Sequence, residues 1–394
     1  FTMHSGEQND VIDRVNDLSE HILTVVRKDK KVNQRIARWT VMHFHKRALS
    51  SPYALICSVR NRLEKVEELI GSNVPQTTLV SITEDDARRS VWDFDVGEEL
   101  SGEEADIRTD RVVLGSYKDF EKERKLLLDL LKEAEKVTTS KDSKLYHLLK
   151  NELPSALRRS PRVIIFTRYK DTLHYLERSI RKEVDSSRRF SNVEIFTIYG
   201  DMNPPRRKEE FRKFRNAKRG VLITTDCMAE GIDLQYASNQ IIHYELPWNP
   251  NRLEQRNGRV DRFGQPEKKV YIRTLIMQDT LEAAILELLM RKAERIRRDY
   301  GFCPPFFGDD MAVLDAIAEY GKDISIGPQK TLFDFFETRM DRERDRARDL
   351  MPSLYSEDKI KAMQEDSFYG QTNIELPEVE KRMKKTIEAI GSEE

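Results

Sequence analysis

Five short runs of apolar, mainly β-branched residues between positions 163 and 275 constrain the fold of this chain more than any other feature. They are Val163–Phe166, Val193–Tyr199, Gly220–Thr225, Gln240–Glu245 and Val270–Leu275. Helical or loop stretches separate most of them, and runs this apolar suit strands that are buried on both faces. The pattern predicts an α/β fold with a parallel sheet flanked by helices, in which ligands bind at the carboxyl ends of the strands.

Helical periodicity extends on both sides of this predicted sheet. We predict a helical segment over residues 1–83, an acidic linker or insertion over 84–116, the sheet-containing lobe with leading helices over 117–300, and a C-terminal helical extension over 301–394. The acidic stretch is expected to be a solvated linker. The alternative is a negatively charged lid that competes with nucleic acid for a basic face.

The amino-acid composition excludes some classes of protein function but does not identify one. The chain has 394 residues, too many for one ordinary domain, and 68 Lys and Arg against 69 Asp and Glu give a net charge of -1. This balance shows no overall basic excess but permits a local basic face. No run approaches the roughly 18 apolar residues that span a bilayer, so we expect a cytoplasmic protein without a membrane partner. The three cysteines form no C-x-x-C pair, and we predict no metal site on this chain.

Polar or small residues follow three of the apolar runs where each predicted strand ends. Thr167 and Arg168 follow the first run, Gly200 follows the second, and Thr225 closes the third. Such residues commonly cap helices in these turns. Three of these turns on one edge of a sheet favour contacts with phosphate through hydroxyls and helix N-termini.

The strongest functional signal is the stretch NPNRLEQRNGRVDRFGQ over residues 249–265. Arg256, Arg259 and Arg262 are three apart, which predicts a row along one side of a helix, and Gly258 permits close approach of another backbone or ligand. Such a row is commonly a solvated face, but few carboxylates are spaced to neutralise this one. Because arginine binds phosphate in a bidentate manner, we hypothesise a clamp for a transition-state phosphate.

Two runs of the sequence resemble motifs five and six of superfamily-two helicases. They are DCMAEGIDLQ at residues 226–235 and QRNGRVDRFGQ at 255–265. The form Q-R-x-G-R-x-x-R-x-G-Q is similar to that of Swi/Snf-type DNA-translocating ATPases, whereas DEAD-box RNA helicases show H-R-x-G-R-x-G-R. Segments that resemble the other motifs occur in family order at residues 163–172, 198–202 and 245–250. The similarity covers about residues 144–291 and implies the second RecA-like lobe of such an enzyme.

The resemblance implies roles for individual residues. Arg259 and Arg262 match the arginine fingers that reach the γ-phosphate of ATP held by the first lobe. The positions next to the nucleotide are matched by Gly231, Asp233 and Gln255. The positions that grip DNA by its phosphates are matched by Thr167, Arg168, Gly200 and Thr225, and a family aromatic near DNA by Trp248. For Trp248, a buried core position is an equal alternative.

The first RecA-like lobe is not recognisable in this sequence. There is no G-x-x-x-x-G-K-[ST] loop and no D-E-x-H box, which are the parts that hold phosphates and Mg²⁺. The chain also begins at Phe1 instead of Met, so we expect the first lobe to be missing upstream or to be a separate chain. ATP and Mg²⁺ are therefore the implied cofactors, with Mg²⁺ held by the missing lobe.

The sequence thus predicts part of an ATP hydrolase, the C-terminal half of a double-stranded DNA translocase, with this chain alone inactive. The segment HKRALSSPYAL at residues 45–55 resembles bacterial Swi/Snf-like proteins of the RNA-polymerase-associated type, which adds RNA polymerase as a candidate partner. Two alternatives remain open. One is an RNA helicase lobe, and the other is a non-catalytic module that binds a partner protein.

Overall fold

The computed structural model describes residues 6–27, 31–71, 117–137, 141–226, 234–247 and 250–277. These residues all belong to one structural unit that ends at Ala283. The acidic stretch and the predicted C-terminal helical extension lie outside the described residues. Within the described part, no helix is both long and apolar enough to cross a membrane.

Four long helices precede the sheet and share one core, which we call the helical bundle. They are α1 (Gly6–Val25), α2 (Lys31–Ser50), α3 (Pro52–Gly71) and α4 (Tyr117–Lys136). Apolar residues at helical spacing, such as Leu18 of α1, Val59 of α3 and Leu127 of α4, are fully buried together. The sequence analysis grouped α4 with the lobe as a leading helix, and in the structure Leu127 and Leu130 of α4 pack in the core of the helical bundle.

The sheet has five strands, and short helical elements lead into it. The leading elements are α5 (Ser143–His147), a π-helical turn (Leu148–Glu152) and α6 (Leu153–Arg159). The strands are β1 (Arg162–Phe166), β2 (Glu194–Ile198), β3 (Gly220–Thr224), β4 (Gln240–His243) and β5 (Tyr271–Thr274). Between them lie α7 (Lys170–Ser186), α8 (Pro204–Asn216) and α9 (Pro250–Gly258), with 3₁₀ turns at Arg188–Phe190 and Leu234–Tyr236.

The strand order is β2-β3-β1-β4-β5, and every neighbouring pair is parallel. Phe166 at the end of β1 lies opposite both Thr224 and His243, and Ile198 at the end of β2 also lies opposite Thr224. The strand ends therefore meet at one edge, which we call the carboxyl edge. The predicted RecA-like α/β fold is confirmed, and each predicted run contains a strand.

Both faces of the sheet are buried, as the apolar runs require. Along β1, Val163 and Ile165 join a core on one face that includes Leu173 of α7. Ile164 and Phe166 point the other way, into a core that contains Phe214 of α8. The sheet is thus a rigid platform that fixes the turns at its carboxyl edge.

Candidate functional site

A buried ion pair joins α9 to the turn after β3. Arg256 Nε lies 2.5 Å from Asp226 Oδ1, and Arg256 Nη2 lies 2.9 Å from Asp226 Oδ2. Arg256 is 3% exposed, so the charges face each other with little water between them. The two-point contact fixes the rotation of α9 about the end of β3. It also corrects the sequence interpretation that the arginine row is not neutralised, because Asp226 neutralises Arg256 from 30 positions away.

The other two arginines do not continue the helix. The sequence predicted that all three arginines lie along one helix, but α9 ends at Gly258. Arg259 begins a turn, and its backbone N–H donates to the Arg256 carbonyl at 3.3 Å. Arg262 lies further along and is exposed. Glycine has a low helix propensity, so Gly258 ends the helix in addition to leaving space. The arginines are therefore divided between one buried anchor and two residues presented beyond the helix end.

Gly264 specifies the shape of the chain after Arg262. Its φ of +92° lies in the region that favours glycine, and a Cβ there would come within 2.8 Å of the Tyr236 hydroxyl. Gln265 completes the turn by donating its side-chain amide to the carbonyls of Val260 at 3.0 Å and Ser238 at 3.2 Å. Gly264 and Gln265 thus hold residues 259–265, which we call the arginine loop, in place.

A buried carboxylate organises the turn after β1. Glu245, which follows β4, accepts a hydrogen bond from the Thr167 hydroxyl at 3.1 Å and one from the backbone N–H of Arg168. Burial raises the pKa of the Glu245 carboxyl, while the charges of Arg256 and Lys144 oppose that rise. From the sequence, Glu245 was recognised only as part of the motif-like segment at residues 245–250. The available signal was an acidic residue directly after an apolar strand, where an unpaired charge would be costly.

The contacts between the helical bundle and the lobe include three neighbouring hydroxyl groups, which we call the hydroxyl joint. The Ser50 and Ser51 oxygens lie 2.7 Å and 2.8 Å from the Thr172 hydroxyl at the start of α7. Beside them, Arg47 Nη1 lies 2.8 Å from Asp171 Oδ2, with the arginine side chain fully buried. The segment at residues 45–55 thus supplies the bundle side of this joint.

A buried histidine connects β4 to α9. His243 Nε2 lies 2.8 Å from Asn257 Oδ1, and the His243 ring stacks on Phe166 with centroids 5.8 Å apart. Burial, assisted by the charge of Arg256, lowers the pKa of His243 to about 3. The neutral imidazole therefore donates its Nε2 proton to Asn257, which directly follows the buried Arg256.

The low pKa of His243 predicts acid sensitivity. Between about pH 6.5 and pH 3, His243 is protonated in the unfolded chain but stays neutral in the folded chain. The free energy of unfolding therefore falls as the pH is lowered through this range. The loss is up to about 1.4 kcal/mol per pH unit. In urea unfolding at several pH values, His243→Gln should reduce this slope.

A second histidine contributes to the same measurement. Burial also lowers the pKa of His45, to about 4, so some slope should persist in the His243→Gln variant. An unaltered slope in His243→Gln would contradict the neutral, buried imidazole.

The carboxyl edge brings together four of the residues predicted to contact DNA. Thr167 and Thr225 are buried there, with Gly200 and Arg168 partly buried. The Thr167 hydroxyl is directed inward to Glu245, and the N–H of Thr225 donates to the Ile198 carbonyl at 3.1 Å. Gln255 is exposed on α9. The remaining predicted positions, Gly231, Asp233 and Trp248, lie outside the described residues, and all these roles stay predictions.

The part of the chain that forms this site is similar to a known domain. Residues 140–264, which include β1 to β4, the first motif segment and all but the last residue of the second, match the model of the helicase conserved C-terminal domain. This part of the chain is therefore similar to the C-terminal domain of helicases, in agreement with the resemblance of the motifs. Among curated proteins, the uncharacterised ATP-dependent helicase YqhH of Bacillus subtilis is 39% identical over 142 residues, which are 36% of this chain and 23% of YqhH. The match thus spans about a quarter of that relative.

Other similar proteins include both RNA helicases and Swi2/Snf2 ATPases. The ATP-dependent RNA helicase FAL1 of Lodderomyces elongisporus is 34% identical over 124 residues, which are 32% of this chain and 28% of FAL1. Among solved structures, the C-terminal part of the Fun30 ATPase domain is 16% identical with a TM-score of 0.46, covering 84% of this chain and 97% of that one. The Sulfolobus solfataricus SWI2/SNF2 ATPase core in complex with dsDNA is 19% identical with a TM-score of 0.37, covering 69% and 47%.

Proposed function

We propose that this chain supplies the second RecA-like lobe of a Swi/Snf-type, ATP-dependent translocase on duplex DNA. The supporting observation is that the three arginines of the motif-six segment are placed differently. Arg256 is locked to Asp226, while Arg259 and Arg262 lie beyond the end of α9. Arg262 is exposed, and its guanidinium has no partner among the residues that the structure describes. A cation with no described partner, on a loop held by Gly264 and Gln265, is suited to bind an anion that another part of the enzyme holds.

The described residues fit the phosphates of ATP and do not fit Mg²⁺. ATP bound between the two lobes would supply the γ-phosphoryl group that is transferred to water. Arg259 and Arg262 would stabilise the negative charge of that group as it is transferred. No group of three or more His, Cys, Asp or Glu residues in the described part is placed to hold a metal ion, and the Asp226 carboxylate is already paired. We assign Mg²⁺ to the first lobe.

The choice between DNA and RNA rests on the form of motif six. Gln255 at its leading position and the trailing Gly264-Gln265 match the Swi/Snf form, whereas the RNA helicases among the curated relatives favour the alternative. The test is ATP turnover by the complete protein with duplex DNA, single-stranded DNA and duplex RNA. We expect the largest stimulation from duplex DNA. Stronger stimulation by RNA would replace the proposal with an RNA helicase lobe.

The chain alone should have negligible ATPase activity, with or without duplex DNA. Arginine fingers stabilise charge only on a phosphate that a phosphate-binding loop already holds, and this sequence contains no such loop. Measuring phosphate release by the purified chain checks this expectation, with the complete protein as the positive control. Appreciable DNA-stimulated hydrolysis by the chain alone would show that it holds a whole ATP site.

RNA polymerase as a partner stays a prediction. The segment that suggested it, residues 45–55, uses Arg47, Ser50 and Ser51 in buried contacts at the hydroxyl joint. These three side chains stabilise the chain internally, so they do not form an exposed docking surface. A partner-binding surface would have to use other residues of the helical bundle.

A further inference from the structure

The helix α8 has a large excess of positive charge. It carries six cations and two carboxylates. By contrast, α3, α4 and α7 each carry as many carboxylates as cations, and α1 carries one cation and five carboxylates. Helix α2 has no carboxylates, but its cations with described side chains, Lys46 and Arg47, are buried. Among the described side chains of these long helices, an exposed excess of cations is therefore found on α8.

Three of the α8 cations form one exposed row, which we call the α8 stripe. Lys208, Arg212 and Arg215 are spaced i, i+4 and i+7, so they lie on the same side of the helix, and all three are exposed. None of the three has a side-chain partner among the described residues. The two carboxylates of α8 do not neutralise them, because Glu209 and Glu210 contact Lys213 at 3.2 Å and 2.9 Å.

The α8 stripe is held on a rigid support. Phe214, on the opposite side of α8, is fully buried, and its ring centroid lies 5.8 Å from that of Phe196 in β2. At the other end, Asn203 caps the helix by accepting the Arg206 N–H at 3.0 Å, and Pro204 begins it. The backbone that carries the cations is therefore ordered before any ligand arrives, which lowers the entropic cost of binding.

The arrangement favours one kind of anionic partner. Single-stranded nucleic acid is commonly bound by exposed aromatic rings that stack on bases, but both aromatic residues of α8, Phe211 and Phe214, are buried. The α8 stripe thus presents cations without aromatic rings. Such a surface is suited to bind the phosphate backbone of a duplex without sequence preference. From Lys208 to Arg215 the helix rises about 10 Å, the length of about three base-pair steps.

We propose that the α8 stripe is a second contact for duplex DNA, separate from the carboxyl edge. Helix α8 starts a few residues after Gly200 at that edge, and the stripe leads from there along the flank of the lobe. A duplex engaged at the edge meets these cations on the side of the lobe. The choice of duplex DNA rests on the proposed function, whereas the stripe itself rests on the charges of α8.

The test compares two variants of the complete protein that lose equal charge. The stripe variant carries Lys208→Gln, Arg212→Gln and Arg215→Gln. The control carries Lys182→Gln, Arg188→Gln and Arg189→Gln, three exposed cations at the far end of α7 and in the turn after it. Fluorescence anisotropy with a short labelled DNA duplex, at several salt concentrations, gives the affinity and its salt dependence for each. The same titrations are repeated with duplex RNA.

We expect the stripe variant to bind the DNA duplex at least about tenfold more weakly near 0.1 M salt, with a salt slope smaller by roughly three. ATP turnover at saturating DNA should stay the same, because the stripe lies outside the arginine loop. Equal behaviour of the stripe and control variants would overturn the inference. A loss confined to duplex RNA would overturn it too. If the unchanged protein bound no DNA, the proposed function would fail as well.

Discussion

Replacing Arg259 by alanine in the complete protein should reduce ATP turnover with duplex DNA by on the order of 10³-fold or more. The reason is that Arg259 would contribute its charge only to the transferred phosphate, while nucleotide binding depends mainly on the first lobe. The apparent affinity for ATP should therefore change little. Arg259→Lys should restore little activity, because an ammonium lacks the planar fork of a guanidinium.

Steady-state kinetics with Arg189→Ala as the matched control measures this effect. Arg189 is an exposed arginine of the same lobe, in the 3₁₀ turn before β2, and its loss should leave turnover unchanged. A turnover unaffected by Arg259→Ala would favour the non-catalytic alternative, in which the lobe docks a partner protein.

Removing Asp226 should cause the largest loss of stability among single changes at the site. Asp226→Ala leaves the buried guanidinium of Arg256 without its two-point partner, and breaking a buried pair in this way costs about 3–5 kcal/mol. We expect the lower part of this range, because the charge of Glu245 also interacts with Arg256. Urea unfolding of the chain gives the free energy.

An exposed ion pair provides the comparison for that measurement. Arg60 Nη2 and Glu135 Oε1 are 2.7 Å apart, but their side chains are 60% and 47% exposed. Glu135→Ala should therefore cost only about 0.2–1 kcal/mol. Equal losses in the two variants would mean that burial adds nothing to the Asp226–Arg256 pair.

The strands were predictable because their signal is local. An apolar, β-branched run such as Gly220–Thr225 indicates a strand without knowledge of its neighbours, and the observed β3 ends one residue earlier. Their parallel arrangement followed from the helices between them. The order of the strands was not predicted, because it depends on pairings between distant residues.

The site was only partly predictable for the same reason. The motif segments pointed to Arg259 and Arg262, but nothing in the spacing linked Arg256 to Asp226 or Thr167 to Glu245. Those partners are 30 and 78 positions apart. The helix end was missed because Gly258 was interpreted only as a point of close approach. A local pattern identifies the residues that carry charge, whereas their neutralising partners come from the tertiary fold.

The hydroxyl joint ties the helical bundle to the start of α7. Ser50 is the last residue of α2, and its hydroxyl contacts Thr172 of the lobe. Further contacts join the bundle to α5, where Lys144 Nζ donates to the Leu49 carbonyl at 2.8 Å and the Ser143 hydroxyl donates to Gln8 Oε1 at 2.7 Å. Hydrogen bonds between neutral hydroxyls are not screened by ions, so salt that releases a bound polyanion leaves the hydroxyl joint in place.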